Sequence, residues 1–215
     1  MLRLPCVALL LASLAACHGG SAASSTPAPP APSEHSLSGL AAQHIAVLPT
    51  YAVRVMPGLQ WAIGRPDDVK RAMDAEILSA MEERGLRKQW LFPEELATSY
   101  RRNASYATDP YTLAEEPLRA PNLSGETRLP QPLASQIRTL VALHQDVRMV
   151  LAPVELRMEK ASATTGRGIL KVVLLDARMA NVFWSGEFSS DTSSTFGPAV
   201  AATIAQRIAA AVAPQ

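Results

Sequence analysis

The sequence predicts an α+β (or α/β) domain in which a single mixed β-sheet of about five strands is packed by helices. Apolar runs with the composition of strands alternate with segments whose apolar residues recur every three or four positions. Three strand-like runs then follow one another, which favours a mixed sheet. A leader and a proline-rich segment precede this body and leave about 175 residues, which suits one domain.

The first residues have the pattern of an export signal. Arg3 supplies a positive charge, and the uncharged apolar run 7–14 follows it. This run is shorter than the roughly 20 apolar residues that a membrane-spanning helix needs. Residues 14–17 read Leu-Ala-Ala-Cys, which resembles the lipobox of bacterial lipoproteins, where the cysteine is acylated after cleavage. The alternative is an ordinary secretory signal with an incidental cysteine.

Cysteine usage favours the lipoprotein interpretation. The chain has 2 cysteines, and Cys6 would be removed with a signal peptide covering residues 1–16. A single remaining cysteine is unusual in an exported protein unless its thiol is used, as acylation would use it. We therefore expect a palmitate-type lipid on Cys17. His18 follows in place of aspartate, so the resemblance implies an anchor on the periplasmic face of the outer membrane.

Residues 17–37 are expected to form the lipidated cysteine and a disordered Pro/Ser/Ala tether. Residues 18–36 contain no bulky apolar side chain, so burial cannot offset their conformational entropy. The prolines between residues 27 and 32 favour polyproline II, which spans about 3.1 Å per residue and gives a reach of at most about 60 Å. We expect a spacer; a polyproline ligand for a partner is the alternative.

The body, residues 38–215, begins with two strand–helix units. The run 44–53 is a short apolar strand. Pro66 and two aspartates begin a helix, and Gly85 stands where a glycine would end it. Residues 86–92 are interpreted as a second strand, and Pro93 begins a second helix that extends to about residue 102. The apolar stripe of the first helix recurs every four residues: Val69, Met73, Ile77 and Met81.

The second half of the body contains the remaining strands. Pro132 begins a third helix, and a strand follows over about 147–158. Residues 168–176 and 182–188 are expected to pair as a hairpin. A final helix opens at Gly197-Pro198.

Three stretches resemble a family of bacterial envelope lipoproteins. They are His-Ile-Ala-Val-Leu-Pro at 44–49, Glu-Arg-Gly-Leu at 83–86, and the hairpin at 172–184. The family includes the CsgG-like curli secretion channel, the LpoB-like activator of penicillin-binding proteins and the TolB amino-terminal domain. Asn181 stands where the family hairpin has glycine, and asparagine tolerates a left-handed turn. The insert 103–130 departs from the family.

Composition and motifs argue against several functions. The charged residues are balanced, 20 Lys and Arg against 19 Asp and Glu, so we expect no nucleic-acid partner. The 4 histidines do not cluster, and His144 is expected to be structural at a helix end. The alternating Glu155, Arg157 and Glu159 are interpreted as a solvated sheet face in preference to an acid–base pair. With no nucleophile elbow or phosphate loop, we expect neither an enzyme nor a cofactor.

A segment rich in tyrosine and arginine is the candidate binding surface. Long loops are usually functional or disordered, and Tyr and Arg dominate interface hot spots. The alternative is structural: the arginines stabilise the end of a helix and the tyrosines cover the edge of the core. The candidate residues are Tyr100, Arg101, Arg102, Tyr106 and Tyr111.

These observations predict a lipoprotein that is held at the outer membrane and works in the periplasm. We expect it to act as a protein-interaction or regulatory module of an envelope machine, with the membrane and an unidentified envelope protein as its partners. The alternative is a subunit of a secretion or export assembly, which would form an oligomeric ring.

Overall fold

A mixed β-sheet forms the middle layer of the protein. The computed structural model describes residues 37–213, so the predicted signal peptide, Cys17 and the tether up to residue 36 lie outside the described residues. Leu37, the last residue assigned to the tether, is buried. The strands are β1 (Ile45–Val47), β2 (Ala52–Val55), β3 (Trp90–Leu91), β4 (Met149–Lys160), β5 (Gly166–Asp176) and β6 (Asn181–Ser189).

The sheet has the strand order β3-β1-β4-β5-β6, and β2 pairs with the same side of β4 as β1 does. The pairs β1–β3, β1–β4 and β2–β4 are parallel. The pairs β4–β5 and β5–β6 are antiparallel. The predicted fold class, a single mixed sheet packed by helices, is confirmed.

Helices cover both faces of the sheet. They are α1 (Pro66–Glu83), α2 (Pro93–Arg102), α3 (Leu133–Ala142) and α4 (Pro198–Val212). The core on one face joins α1 and α4 to Ile45 and Val47, and the core on the other joins α3 to Ala46 and Leu48. This alternation follows from the two-residue period of a strand. Among residues 37–213, no helix combines the length and apolarity that crossing a membrane requires.

The helix boundaries follow the local signals in the sequence. Prolines occupy the first positions of α1, α2 and α4. The Glu95 carboxylate accepts a hydrogen bond of 2.9 Å from the Phe92 N–H at the start of α2. Gly85 has a φ of 75°, the left-handed conformation that ends α1. The predicted helices are therefore found where the sequence places them.

Two predicted strands differ from the structure. The run 44–53 is divided into β1 and β2, because Pro49 has no N–H for the ladder and β4 is irregular between Pro153 and Glu155. In the run 86–92, residues 86–88 form a 3₁₀ helix and only Trp90–Leu91 is a strand. Leu86 and Trp90 are both buried in the same core, a spacing of four residues that fits a strand as well as a helical turn.

The predicted hairpin of β5 and β6 is present, but its left-handed residue is Ala180, with a φ of 53°, and not Asn181. Asn181 already pairs with Asp176 as the first residue of β6. The Asp176 carboxylate accepts the N–H groups of Arg178 and Met179, each at 2.9 Å, and fixes the turn before the chain reaches Asn181.

The insert 103–130 belongs to the core. Leu113, Leu118 and Leu129 are buried with α3 on the second face of the sheet. The Thr127 carbonyl accepts the Val182 N–H at 2.8 Å, so the insert also covers the start of the edge strand β6. The segment that departs from the family is thus a structural layer of this fold.

Candidate functional site

The two arginines of the candidate surface lie at the end of α2. Arg101 and Arg102 occupy its last turn, where positive charge interacts favourably with the helix dipole. Both side chains are exposed, and the Arg101 guanidinium donates to Thr98 Oγ1 at 2.9 Å. Their position is compatible with the structural role, and their exposure leaves them accessible to a partner.

The tyrosines divide into two groups. Tyr100 is half-buried, whereas Tyr106 is 63% exposed and Tyr111 is 57% exposed. The Tyr106 hydroxyl donates to Asn103 Oδ1 at 2.6 Å, which holds this ring near the end of α2. Tyr106 and Tyr111 therefore present most of their surface to solvent and do not cover the edge of the core.

Tyr111 also lines a crevice at the carboxyl end of β1. In the sheet, β1 lies between β3 and β4. Beyond β1 the chain runs through α1 to β3, and it reaches β4 only later. Ligands of open α/β sheets bind at such points, where the connections diverge. The crevice has a volume of about 340 Å³, and its other lining residues are Pro49, Thr50, Arg65, Asp67, Lys70, Arg71 and Asp74.

The inner carboxylate of this crevice is Asp74, which α1 places against Thr50. Asp74 Oδ1 accepts the Thr50 N–H at 2.7 Å and the Thr50 hydroxyl at 2.6 Å. Burial raises the pKa of Asp74 to about 6, although the two hydrogen bonds from Thr50 oppose this shift. The carboxylate is thus held in a fixed position in a poorly solvated place.

A second carboxyl group lies close to Asp74. Glu115 is buried, with 1% of its surface exposed, and its Oε2 has no hydrogen-bond partner within the described chain. Burial, followed by the charge of Asp74, raises the pKa of Glu115 to about 8. Glu115 is therefore mainly protonated at neutral pH. The sequence patterns did not point to Asp74 or Glu115, although Pro49-Thr50 directly after an apolar strand was an available signal.

The alternating charges of β4 form a paired network. Glu155 is buried by the insert, and its Oε2 accepts from Arg119 Nε at 2.5 Å, so the interpretation as a solvated face does not hold for this residue. Arg157 donates to Glu159 at 2.8 Å and to Glu187 at 3.0 Å. This pairing satisfies the charges and leaves no free acid–base couple.

Metal-binding chemistry has no site in the described part of the chain. Across residues 37–213, no group of three or more His, Cys, Asp or Glu side chains is placed to hold a metal ion. The backbone N–H of His144 donates to the Val141 carbonyl at 2.9 Å just beyond α3. Burial lowers the pKa of the His144 imidazole.

Comparisons with known proteins give likenesses among solved structures. No protein-family model matches the chain, and no curated protein matches it. The chain is similar to a PelC dodecamer from Paraburkholderia phytofirmans at 12% identity, over 80% of this chain and 89% of that one, with a TM-score of 0.41. It is similar to the LpoB C-terminal domain from Escherichia coli at 10% identity, over 69% of this chain and 83% of that one, with a TM-score of 0.34. It is similar to lipoprotein GNA1162 from Neisseria meningitidis at 14% identity, over 77% of this chain and 94% of that one, with a TM-score of 0.41.

LpoB was also among the proteins that the sequence resembles. All three TM-scores are below 0.5, so the function proposed next depends on the residues of this chain.

Proposed function

We propose that the protein is an outer-membrane lipoprotein that acts by binding another envelope protein through the surface formed by Tyr100, Arg101, Arg102, Tyr106 and Tyr111. The observation that carries this proposal is the exposure of Tyr106 and Tyr111 beside the two arginines. Tyr and Arg are enriched among the hot spots of protein interfaces, and this segment brings several of them together at the surface.

The anchor at Cys17 gives this surface its place in the cell. It is supported by the Leu-Ala-Ala-Cys stretch after the apolar run 7–14. Attachment at one membrane confines the body to partners that the tether can reach, within about 60 Å. A docking or regulatory role needs only such a confined body and an accessible surface.

Capture of a partner from envelope extracts tests the proposal. The double variant Arg102→Ala/Tyr106→Ala should weaken capture by about thirtyfold, because truncating hot-spot residues costs about 2 kcal/mol or more. Its melting temperature should change little, since both side chains are exposed. Arg178→Ala/Met179→Ala is the matched control, because it removes an exposed arginine and an exposed apolar side chain at the β5–β6 turn.

Two results would contradict the proposal. Equal capture by the double variant and the control would place the binding surface elsewhere. A sharp fall in the melting temperature of the double variant, with capture retained, would assign Arg102 and Tyr106 to the structure. A captured partner that is a second copy of this chain would favour the alternative role in a ring-forming export assembly.

A further inference from the structure

The crevice beside Tyr111 has two charged groups that have no opposite charge in contact among residues 37–213. Five charged side chains line it. Two of them, Asp67 and Lys70, form an ion pair within α1, with Lys70 Nζ 2.8 Å from Asp67 Oδ1. Arg71 also lines the crevice, and its guanidinium is paired with Asp68. Arg65 and Asp74 remain, and neither forms an ion pair within 4.0 Å in the part of the chain that the structure describes.

The two unpaired charges differ in depth. Arg65 is exposed and directly precedes α1, so it stands at the mouth of the crevice. Asp74 lies two turns further along the same helix and is partly buried against Thr50, which is 3% exposed. The crevice therefore has a negative charge inside and a positive charge at its mouth.

Asp74 has acceptor capacity to spare. Both hydrogen bonds from Thr50 end on Oδ1, and within residues 37–213 no donor is bonded to Oδ2. The charge of Lys70 acts on Asp74, but its amine is paired with Asp67 and makes no ion pair with Asp74, so a cation that contacts Oδ2 would add an opposite charge that this buried carboxylate does not have in contact. The same burial raises the pKa of Asp74 to about 6.

Resting on the proposed function, we propose that the crevice receives a charged pair from the partner protein: a lysine or arginine side chain enters to bind Asp74, and a neighbouring acidic side chain binds Arg65. The volume of about 340 Å³ is at the small end for ligand sites and suits a single side chain. The half-exposed ring of Tyr111 forms one wall, where it can contact the cation and its aliphatic stem. Tyr111 belongs both to the crevice and to the proposed binding surface of tyrosines and arginines, here called the tyrosine–arginine surface. The crevice thus extends that surface.

Charge complementarity gives this site its selectivity. A segment with the opposite arrangement would place an acidic group beside Asp74 and a basic group beside Arg65, which like-charge repulsion disfavours. An uncharged segment would exclude water from Asp74 without supplying a cation in contact with it. A basic side chain next to an acidic one is therefore the partner feature that the crevice recognises.

Titration of the full lipoprotein in detergent with synthetic peptides tests this inference. The probe is a blocked peptide, acetyl-Gly-Lys-Glu-Gly-amide, with an otherwise identical Gly-Gln-Gln-Gly peptide as the uncharged control. Binding is followed by amide chemical shifts at Thr50 and Tyr111. We expect the charged probe to shift both signals in a saturable way and the uncharged peptide to leave them unchanged.

Variants of α1 assign the contacts. Asp74→Asn is nearly isosteric and should weaken binding of the charged probe by at least about tenfold. Glu76→Gln, the same kind of change two residues along α1 and outside the crevice, should alter binding by less than about twofold. If Asp74→Asn does not fold, Arg65→Gln at the exposed mouth is the second variant. The wild type should bind Gly-Lys-Glu-Gly more tightly than a third peptide, Gly-Lys-Gln-Gly, and Arg65→Gln should remove this preference.

The outcomes separate this inference from the proposed function. If Asp74→Asn and Arg65→Gln bind the probe and capture the partner as the wild type does, the inference is wrong, whereas loss of capture in Arg102→Ala/Tyr106→Ala would still support the function. If the crevice variants lose both probe binding and capture while Arg102→Ala/Tyr106→Ala keeps them, the crevice is the site and the tyrosine–arginine surface is not.

Discussion

Glu115 is a buried carboxyl group within the insert 103–130. One of its oxygens has no hydrogen-bond partner among the described residues, and the group lies near Asp74. A buried carboxyl of this kind is tolerated because it stays protonated, which avoids the cost of a buried charge. Its protonation therefore links the stability of the fold to pH.

We predict that Glu115 makes the protein less stable in alkali. Its pKa is about 8 in the folded state against 4.5 in its ordinary state, so between these values the folded protein holds a proton that the unfolded chain has lost. The free energy of unfolding should fall as the pH rises through this window, by up to about 5 kcal/mol from this group, and then level off. Glu115→Gln should show a flatter profile in urea denaturation at pH 5, 7 and 9. An unchanged slope in this variant would contradict the prediction.

Asp74 acts in the same direction over a lower window, because burial raises its pKa from 3.8 to about 6. The free energy of unfolding should therefore stop falling because of Asp74 near neutral pH. Glu115 should continue to lower it as the pH rises towards 8. Denaturation of Asp74→Asn at pH 4, 5 and 7 separates the two: its profile should flatten mainly below pH 6, with a smaller change above pH 6 because the charge of Asp74 also raises the pKa of Glu115.

At the scale of elements, the insert 103–130 is the feature that needs explanation. It is long and has little regular structure, yet Leu118 is 1% exposed and the 3₁₀ helix Glu116–Arg119 packs over β4. Arg119 also pairs with Glu155, which the insert buries. The insert thus replaces a helix on part of the second face of the sheet.

We predict that Leu118→Ala costs about 2–5 kcal/mol in the free energy of unfolding, because it leaves a cavity in a packed core. Tyr106→Ala, in the same insert but 63% exposed, should cost less than about 0.5 kcal/mol. Urea denaturation measures both values. A small effect of Leu118→Ala would mean that the insert unfolds separately from the sheet.

The contact between α4 and β5 depends on a glycine. A Cβ at Gly168 would lie 2.9 Å from Val200 Cγ1 and 3.2 Å from Ile204 Cδ1, both on α4. Gly168→Ala should therefore push the helix from the sheet and cost about 1–3 kcal/mol of stability. Gly64→Ala is the control, since a Cβ there would meet no atom within 4 Å and the residue lies outside the helices. Equal melting temperatures for the two variants would show that α4 adjusts without cost.

At the scale of the whole molecule, the anchor at Cys17 remains a prediction, since it lies outside the described residues. Metabolic labelling with a fatty-acid probe should tag the wild type and not Cys17→Ser. The variant should also leave the membrane fraction, because a lipid chain contributes about 0.8 kcal/mol of membrane affinity per buried CH₂ group. Equal labelling of the two proteins would reject the lipoprotein interpretation.

The sequence determined the features that depend on near neighbours in the chain. The starts and ends of the helices were predictable because proline, first-turn carboxylates and Gly85 act within one turn. The fold class followed from the order of strands and helices, since each element must bury its apolar face against another. The segment Tyr100–Tyr111 could be selected by residue type alone.

Only the tertiary structure decided what depends on residues far apart in the sequence. Asp74 accepts hydrogen bonds from Thr50, 24 positions away in the sequence, and Glu115 comes close to Asp74 because the insert folds over the end of β1. The same folding buries Glu155 beneath Arg119 and leaves Tyr106 and Tyr111 in solvent. Composition and spacing do not predict contacts between residues that are far apart in the sequence. Desolvation and charge pairing depend on which surfaces the folded chain brings together.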